Sequence, residues 1–121
     1  MIPHLANLIF DSEQARRTAA RSFSYHTRAL LYRASDILVD VILVDAGAGH
    51  VPVMFGQIVC GSPPEPAPGA CIGLGARTAT TDDYGQFAIE LAEDYGAASL
   101  QVKLHDCHLA CPLPQDVPVL A

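Results

Sequence analysis

Two histidines, two cysteines and an aspartate fall within seven residues, His105-Asp106-Cys107-His108-Leu109-Ala110-Cys111. All are types that ligate soft or borderline metal ions, and His105, Cys107, His108 and Cys111 are the candidate ligands. Structural zinc takes four ligands, ordinarily from two separated knuckles, and C-x₃-C supplies half of such a set. On an extended strand Cys107 and Cys111 share a face about 13 Å apart at ~3.3 Å per residue. A complete site therefore needs the strand to bend, or Cys60 or Cys71 to converge on it. The plainer reading of the run is a hairpin carrying small buried thiols.

Other chemistry has less to stand on. No G-x-S-x-G elbow, phosphate-binding loop, H-E-x-x-H pair or glycine-rich nucleotide fingerprint occurs in the chain. The acidic pairs Asp82-Asp83 and Glu93-Asp94 sit in turn-like contexts where solvated carboxylates are ordinary. Cys107 has His105 close by but no sign of an oxyanion hole or a substrate cleft. No enzymatic activity and no cofactor are expected.

The elements that must position these residues are bounded by composition. With 121 residues the chain holds one domain and no second sizeable core. Half the residues are apolar and none is Trp, so the interior is expected to be mostly Val, Ile, Leu and Ala. Nine Gly and nine Pro provide the reversals that short strands require. Met1-Ile2-Pro3-His4 has no basic start, and Leu5 to Phe10 is too short for a secretory core. No run approaches the roughly 20 apolar residues that span a bilayer. A cytoplasmic protein with reduced thiols, away from membranes, is the expectation.

Charge is uneven. Residues 1–33 carry Arg16, Arg17, Arg21, Arg28 and Arg33 against Asp11 and Glu13, while the rest carries eleven acids against Arg77 and Lys103. The net charge of −6 and the lack of aromatic–basic interleaving argue against nucleic acid. A basic arm attached to an acidic body fits docking on an acidic protein surface, a neighbouring copy of the chain included. A solvated helix face that happens to use Arg is the alternative. Leu5, Leu8, Ile9 and Phe10 form a short apolar hook that needs cover from the domain or a partner. Asp11 or Ser12 can cap a short helix reaching about Arg21.

From Arg28 onward the period changes to two. Ala29–Tyr32, Ile37–Val44, Val51–Cys60, Ala70–Leu74, Arg77–Thr81, Gln86–Leu91, Leu100–Leu104 and His108–Cys111 read as strands. Ile37, Val39, Val41 and Leu43 share one face, and Val51–Cys60 is apolar on both faces, which predicts a central or doubly covered strand. Asp45 to Gly49 and Asp82 to Gly85 read as turns, and Gly61 to Gly69 as a stiff proline-rich connection. This spacing predicts an all-β, seven- to eight-stranded sandwich over residues 28–112. A basic arm or short helix over 1–27 precedes it, and an extended tail over 113–121 follows.

Residues 56–104 resemble the carboxypeptidase regulatory-like domain, a transthyretin-like β-sandwich. The resemblance rests on Gly56-Gln57-Ile58-Val59, Pro68-Gly69-Ala70-Cys71-Ile72-Gly73-Leu74, Thr80-Thr81-Asp82-Asp83-Tyr84-Gly85-Gln86-Phe87 and the strand Leu100–Leu104. In that pattern Gly69 turns the chain into its strand, Gly85 supplies a left-handed position and Phe87 fills the core. The upstream pieces Phe10-Asp11-Ser12 and Leu30–Ala34 resemble small bacterial proteins in which an N-terminal arm precedes this domain, accessories of signalling gene sets. The resemblance implies a non-catalytic interaction or scaffold module, and it supplies no catalytic residues. The apolarity and basic charge of the arm itself make Leu5, Leu8, Ile9, Phe10, Arg16, Arg17 and Arg21 the expected interacting residues, for a protein partner or a neighbouring copy of the chain.

Overall fold

The computed structural model describes residues 3–13, 26–45, 51–91 and 99–114. Their strands are β1 (His4–Leu5), β2 (Asn7–Asp11), β3 (His26–Ala34), β4 (Ile37–Asp45), β5 (Val53–Cys60) and β6 (Glu65–Pro66), then β7 (Cys71–Leu74), β8 (Arg77–Thr80), β9 (Gln86–Glu90), β10 (Ser99–Lys103) and β11 (His108–Pro112). Alternation of apolar residues makes them a sandwich. Ile37, Val39, Val41 and Leu43 of β4 are buried, and Met54 and Ile58 of β5 lie beside them. Ile72, Leu100, Val102, Leu109 and Cys111 face them from the other sheet. The core is aliphatic apart from Tyr32, Phe87 and the sulfur-bearing Met54 and Cys111.

One sheet has five strands in the order β1-β11-β10-β7-β8. The other has six: β2-β3-β4-β5 run side by side, and β6 and β9 pair with different stretches of the far edge of β5. β3 and β4 are in register over all nine residues, from His26↔Asp45 to Ala34↔Ile37, and are joined by Ser35-Asp36. Ser35 takes φ 57°, the positive value that a two-residue hairpin imposes and that a non-glycine adopts at some cost. No helix among the described residues is long and apolar enough to cross a membrane.

The described residues form eleven strands where seven or eight are expected. The eight segments read from the sequence are β3, β4, β5 and β7 to β11, and the additions are β1, β2 and β6. β1 and β6 are two residues long, below what a period of two can register. In β2 the apolar residues Leu8, Ile9 and Phe10 run consecutively and not alternately, and the register shifts between Leu8 and Phe10.

The expected boundary between an arm and a sandwich near residue 27 also shifts. β1 lies parallel to β11 at one edge of the five-stranded sheet, and β2 lies antiparallel to β3 at one edge of the six-stranded sheet. Between them stands Ala6 alone, buried, its N–H donating to the Ala110 carbonyl at 2.9 Å. The chain thus crosses from sheet to sheet in one residue. Backbone pairing, which no side-chain pattern announces, draws these residues into the fold.

Polar contacts secure that crossing. The Arg28 guanidinium donates from Nε to Asp11 Oδ1 at 3.0 Å and from Nη2 to Oδ2 at 2.7 Å, with both side chains over nine-tenths buried. Asp11 Oδ1 also accepts from the Glu13 N–H at 3.0 Å, and Ser12 Oγ accepts from the Ala29 N–H at 2.8 Å. Two of the charges counted in the basic segment therefore cancel inside the protein, where removing either partner costs about 3–5 kcal/mol. The Tyr32 hydroxyl donates to the Pro112 carbonyl at 2.7 Å and ties β3 to the end of β11 across the core. Ser12 and Glu13 have helical backbone, and the remainder of the expected helix, 14–21, lies outside the described residues.

Candidate functional site

The six-stranded sheet has a second face, and its side chains follow from the register. Residues that oppose one another across a ladder point the same way, so each row across the strands is a row on one face. Ala29, Ile42, Phe55 and Ala88 make one such row on the outer side. Thr27, Val44, Val53 and Glu90 make the row on one flank, and Phe10, Leu31, Asp40, Gln57 and Gln86 the row on the other. Arg33, Leu38 and Val59 follow in the next. Ile42 is 43% exposed, Phe55 47% and Phe10 47%.

β5 is therefore central in its sheet, bonded on both edges, and buried on its inner face. Its outer side chains, with those of β4 and β3, form an apolar band of Ala29, Ile42, Val44, Val53 and Phe55, bordered on one flank by the polar Asp40 and Gln57. The charged residues on that surface are Arg33, Asp40 and Glu90, all exposed. Four strands at ~4.8 Å and four rows at ~6.7 Å give a face roughly 20 by 25 Å, on the scale of one side of a modest protein interface. A water-facing sheet surface normally alternates with polar residues, and large uninterrupted apolar surfaces mark interaction sites.

The hook residues are divided by the fold. Phe10 opposes Leu31 and joins the outer face, while Leu8 opposes Tyr32 on the inner side at the sheet edge. Leu5 and Ile9 wall a cleft at the end of the sandwich. Arg16, Arg17 and Arg21 lie outside the described residues.

The turn residues stand where the hairpin chemistry requires them. Asp82 Oδ1 accepts from the N–H groups of Tyr84 and Gln86, both at 2.9 Å, and Gly85 takes φ 73°. A Cβ at Gly85 would strike the Ile58 carbonyl oxygen, so glycine is needed for space as well as for φ. The Gly85 carbonyl accepts from the Ile58 N–H, locking the turn to β5. Buried Thr81 donates to the Ala67 carbonyl at 2.7 Å and accepts from the Ala70 N–H at 2.8 Å, fastening the proline-rich connection. Gly69, at φ 72°, donates its N–H to the Thr81 carbonyl. Phe87 is buried with its ring over Gly56, its cross-strand partner, in the space a side chain there would fill.

The metal candidates are not drawn together. Among the described residues no group of three or more His, Cys, Asp or Glu is placed to hold an ion. His105 is exposed in the turn between β10 and β11, whose ends are tied by the Leu104 N–H donating to the Cys107 carbonyl at 2.7 Å. The His108 ring is 2.7 Å from Gln101 Oε1. Cys111 points into the core opposite Leu100, where burial pushes its thiol up to about 12 and keeps it neutral. Cys60, Cys71, Cys107 and Cys111 are all free thiols, with Cys71 exposed on the outer side of its strand.

The outer face is only half legible in the sequence. The apolar residues on both faces of β5 mark it as central or doubly covered, and only the register shows which side chains stand together. No family model, curated protein or solved structure matches the chain.

Proposed function

We propose that this chain is a non-catalytic protein-interaction module that self-associates through the outer face of its six-stranded sheet. The row Ala29–Ile42–Phe55–Ala88 carries the proposal: it is unbroken by any polar residue, crosses four strands, and leaves two large side chains nearly half exposed. Sheet-on-sheet packing is the way such faces are buried, and a second copy brings a surface of matching shape and width. Phe10 extends the face to the edge strand β2, so the part of the N-terminal segment read as an interacting arm contributes from within the sheet. The resemblance of residues 56–104 to carboxypeptidase regulatory-like domains supports the same reading, since those domains accompany chemistry without performing it.

The test is mass in solution. Sedimentation of the intact chain is expected to show a concentration-dependent dimer, and Ile42→Lys is expected to sediment as a monomer with an unchanged far-ultraviolet spectrum. A wild-type chain that stays monomeric up to millimolar concentration would refute self-association.

A further inference from the structure

At one end of the sandwich the crossing from β1 to β2, the β3–β4 turn and the start of β11 enclose an open cleft of about 750 Å³. That volume lies within the ~300–1,000 Å³ typical of small-molecule sites. Its floor is apolar: Ile37 and Leu109 are core residues seen from their edge, and Ile9 stands above them. Its polar side chains are donors or can be. Arg33, His4 and Asn7 line it, and Cys107 presents a half-buried thiol to the same space.

Charge separates this cleft from the rest of the molecule. The chain carries thirteen Asp and Glu against seven Lys and Arg, yet among the described residues no carboxylate lines the cleft. Arg28 is consumed by Asp11, and Arg77 lies 3.9 Å from Glu90, but Arg33 makes no ion pair among the described residues. An arginine without an ion pair among the described residues, lining an apolar cleft together with amide and imidazole groups, matches an anion that carries a hydrocarbon tail. The bulge between Leu8 and Phe10 sets Ile9 outside the ladder register, where it serves as a wall of the cleft.

We propose that this cleft binds a small amphipathic carboxylate, with the head group on Arg33, beside His4 and Asn7, and the tail along Ile9, Ile37 and Leu109. The site lies at the end of the sandwich, and Arg33, in the last row of the outer face, is also one of its lining residues.

Octanoate is the probe, and Cys107 the reporter. Alkylation by iodoacetamide, followed residue by residue by peptide mass spectrometry, is expected to slow at Cys107 when octanoate is added and to be unchanged at exposed Cys71. Acetate, lacking the tail, and octanol, lacking the charge, are each expected to protect about tenfold less at equal concentration. Arg33→Met keeps the apolar stem and removes the charge, and is expected to weaken octanoate protection about tenfold or more. Protection in Ile42→Lys equal to that in the wild type is expected, which separates cleft binding from adsorption on the outer face. Unprotected Cys107 at saturating octanoate, equal protection by octanol, undiminished protection in Arg33→Met, or protection lost in Ile42→Lys would each overturn the proposal.

Discussion

Val41 and Ile42 are neighbours in one strand and differ by a methylene, yet Val41 is sealed in the core while Ile42 is 43% exposed. The same holds one strand over, where Met54 is fully buried and Phe55 is 47% exposed. At these positions the two faces of the sheet carry similar residues in different surroundings. Burial on the inner face is satisfied by the chain's own second sheet, whereas nothing in its own ladder requires the outer face to be apolar. An apolar residue that the fold does not need has to be explained by something outside the fold.

The sharpest way to break this contrast is to charge each face in turn. Val41→Asp places an unpaired carboxylate among Leu30, Ile58 and their neighbours, and the expected outcome is loss of the cooperative thermal transition by circular dichroism. A smaller inner-face change is Ile58→Ala, which leaves a cavity beneath the Gly85 turn. Denaturant titration is expected to show about 2–5 kcal/mol lost.

The dryness of the inner face has its own titration. Cys111 is held neutral up to about 12, above its ordinary 9.0, so the unfolded chain releases this proton at lower pH than the folded one. Its contribution to stability is fully present below about pH 9 and is lost as pH rises through about 12. Stability measured across that window is expected to fall, and Cys111→Val is expected to flatten the fall. Ile42→Lys should have the smallest effect on folding, within about 0.5 kcal/mol of wild type, since its side chain already meets water. A large loss there would show that the outer face is as much a part of the core as the inner one.

How far the sequence alone led depended on whether the signal was local. β4 was readable because four inward positions repeat at period two, and the Asp82–Gly85 turn because its bonds join residues four apart or fewer. The sandwich followed from these. β2 was not readable, because its bulge breaks the period, and the Asp11–Arg28 pair was not, because its partners are seventeen residues apart. Taken locally, Asp11 reads as a helix cap and Arg28 as part of a basic segment. The His105–Cys111 run drew attention by composition, but its strand sends Cys111 inward and leaves His105 in a turn. The cleft had no signal of its own, since His4, Arg33 and Cys107 meet only after both sheets have formed.

The single residue between β1 and β2 has a mechanical consequence. A pull on the chain ahead of His4 is borne first by the short parallel ladder to β11, and then, past Ala6, by the ladder to β3 in the opposite layer. Tension entering at that point is divided between the two layers in succession, with the Asp11–Arg28 clasp as the last restraint before β2 peels away.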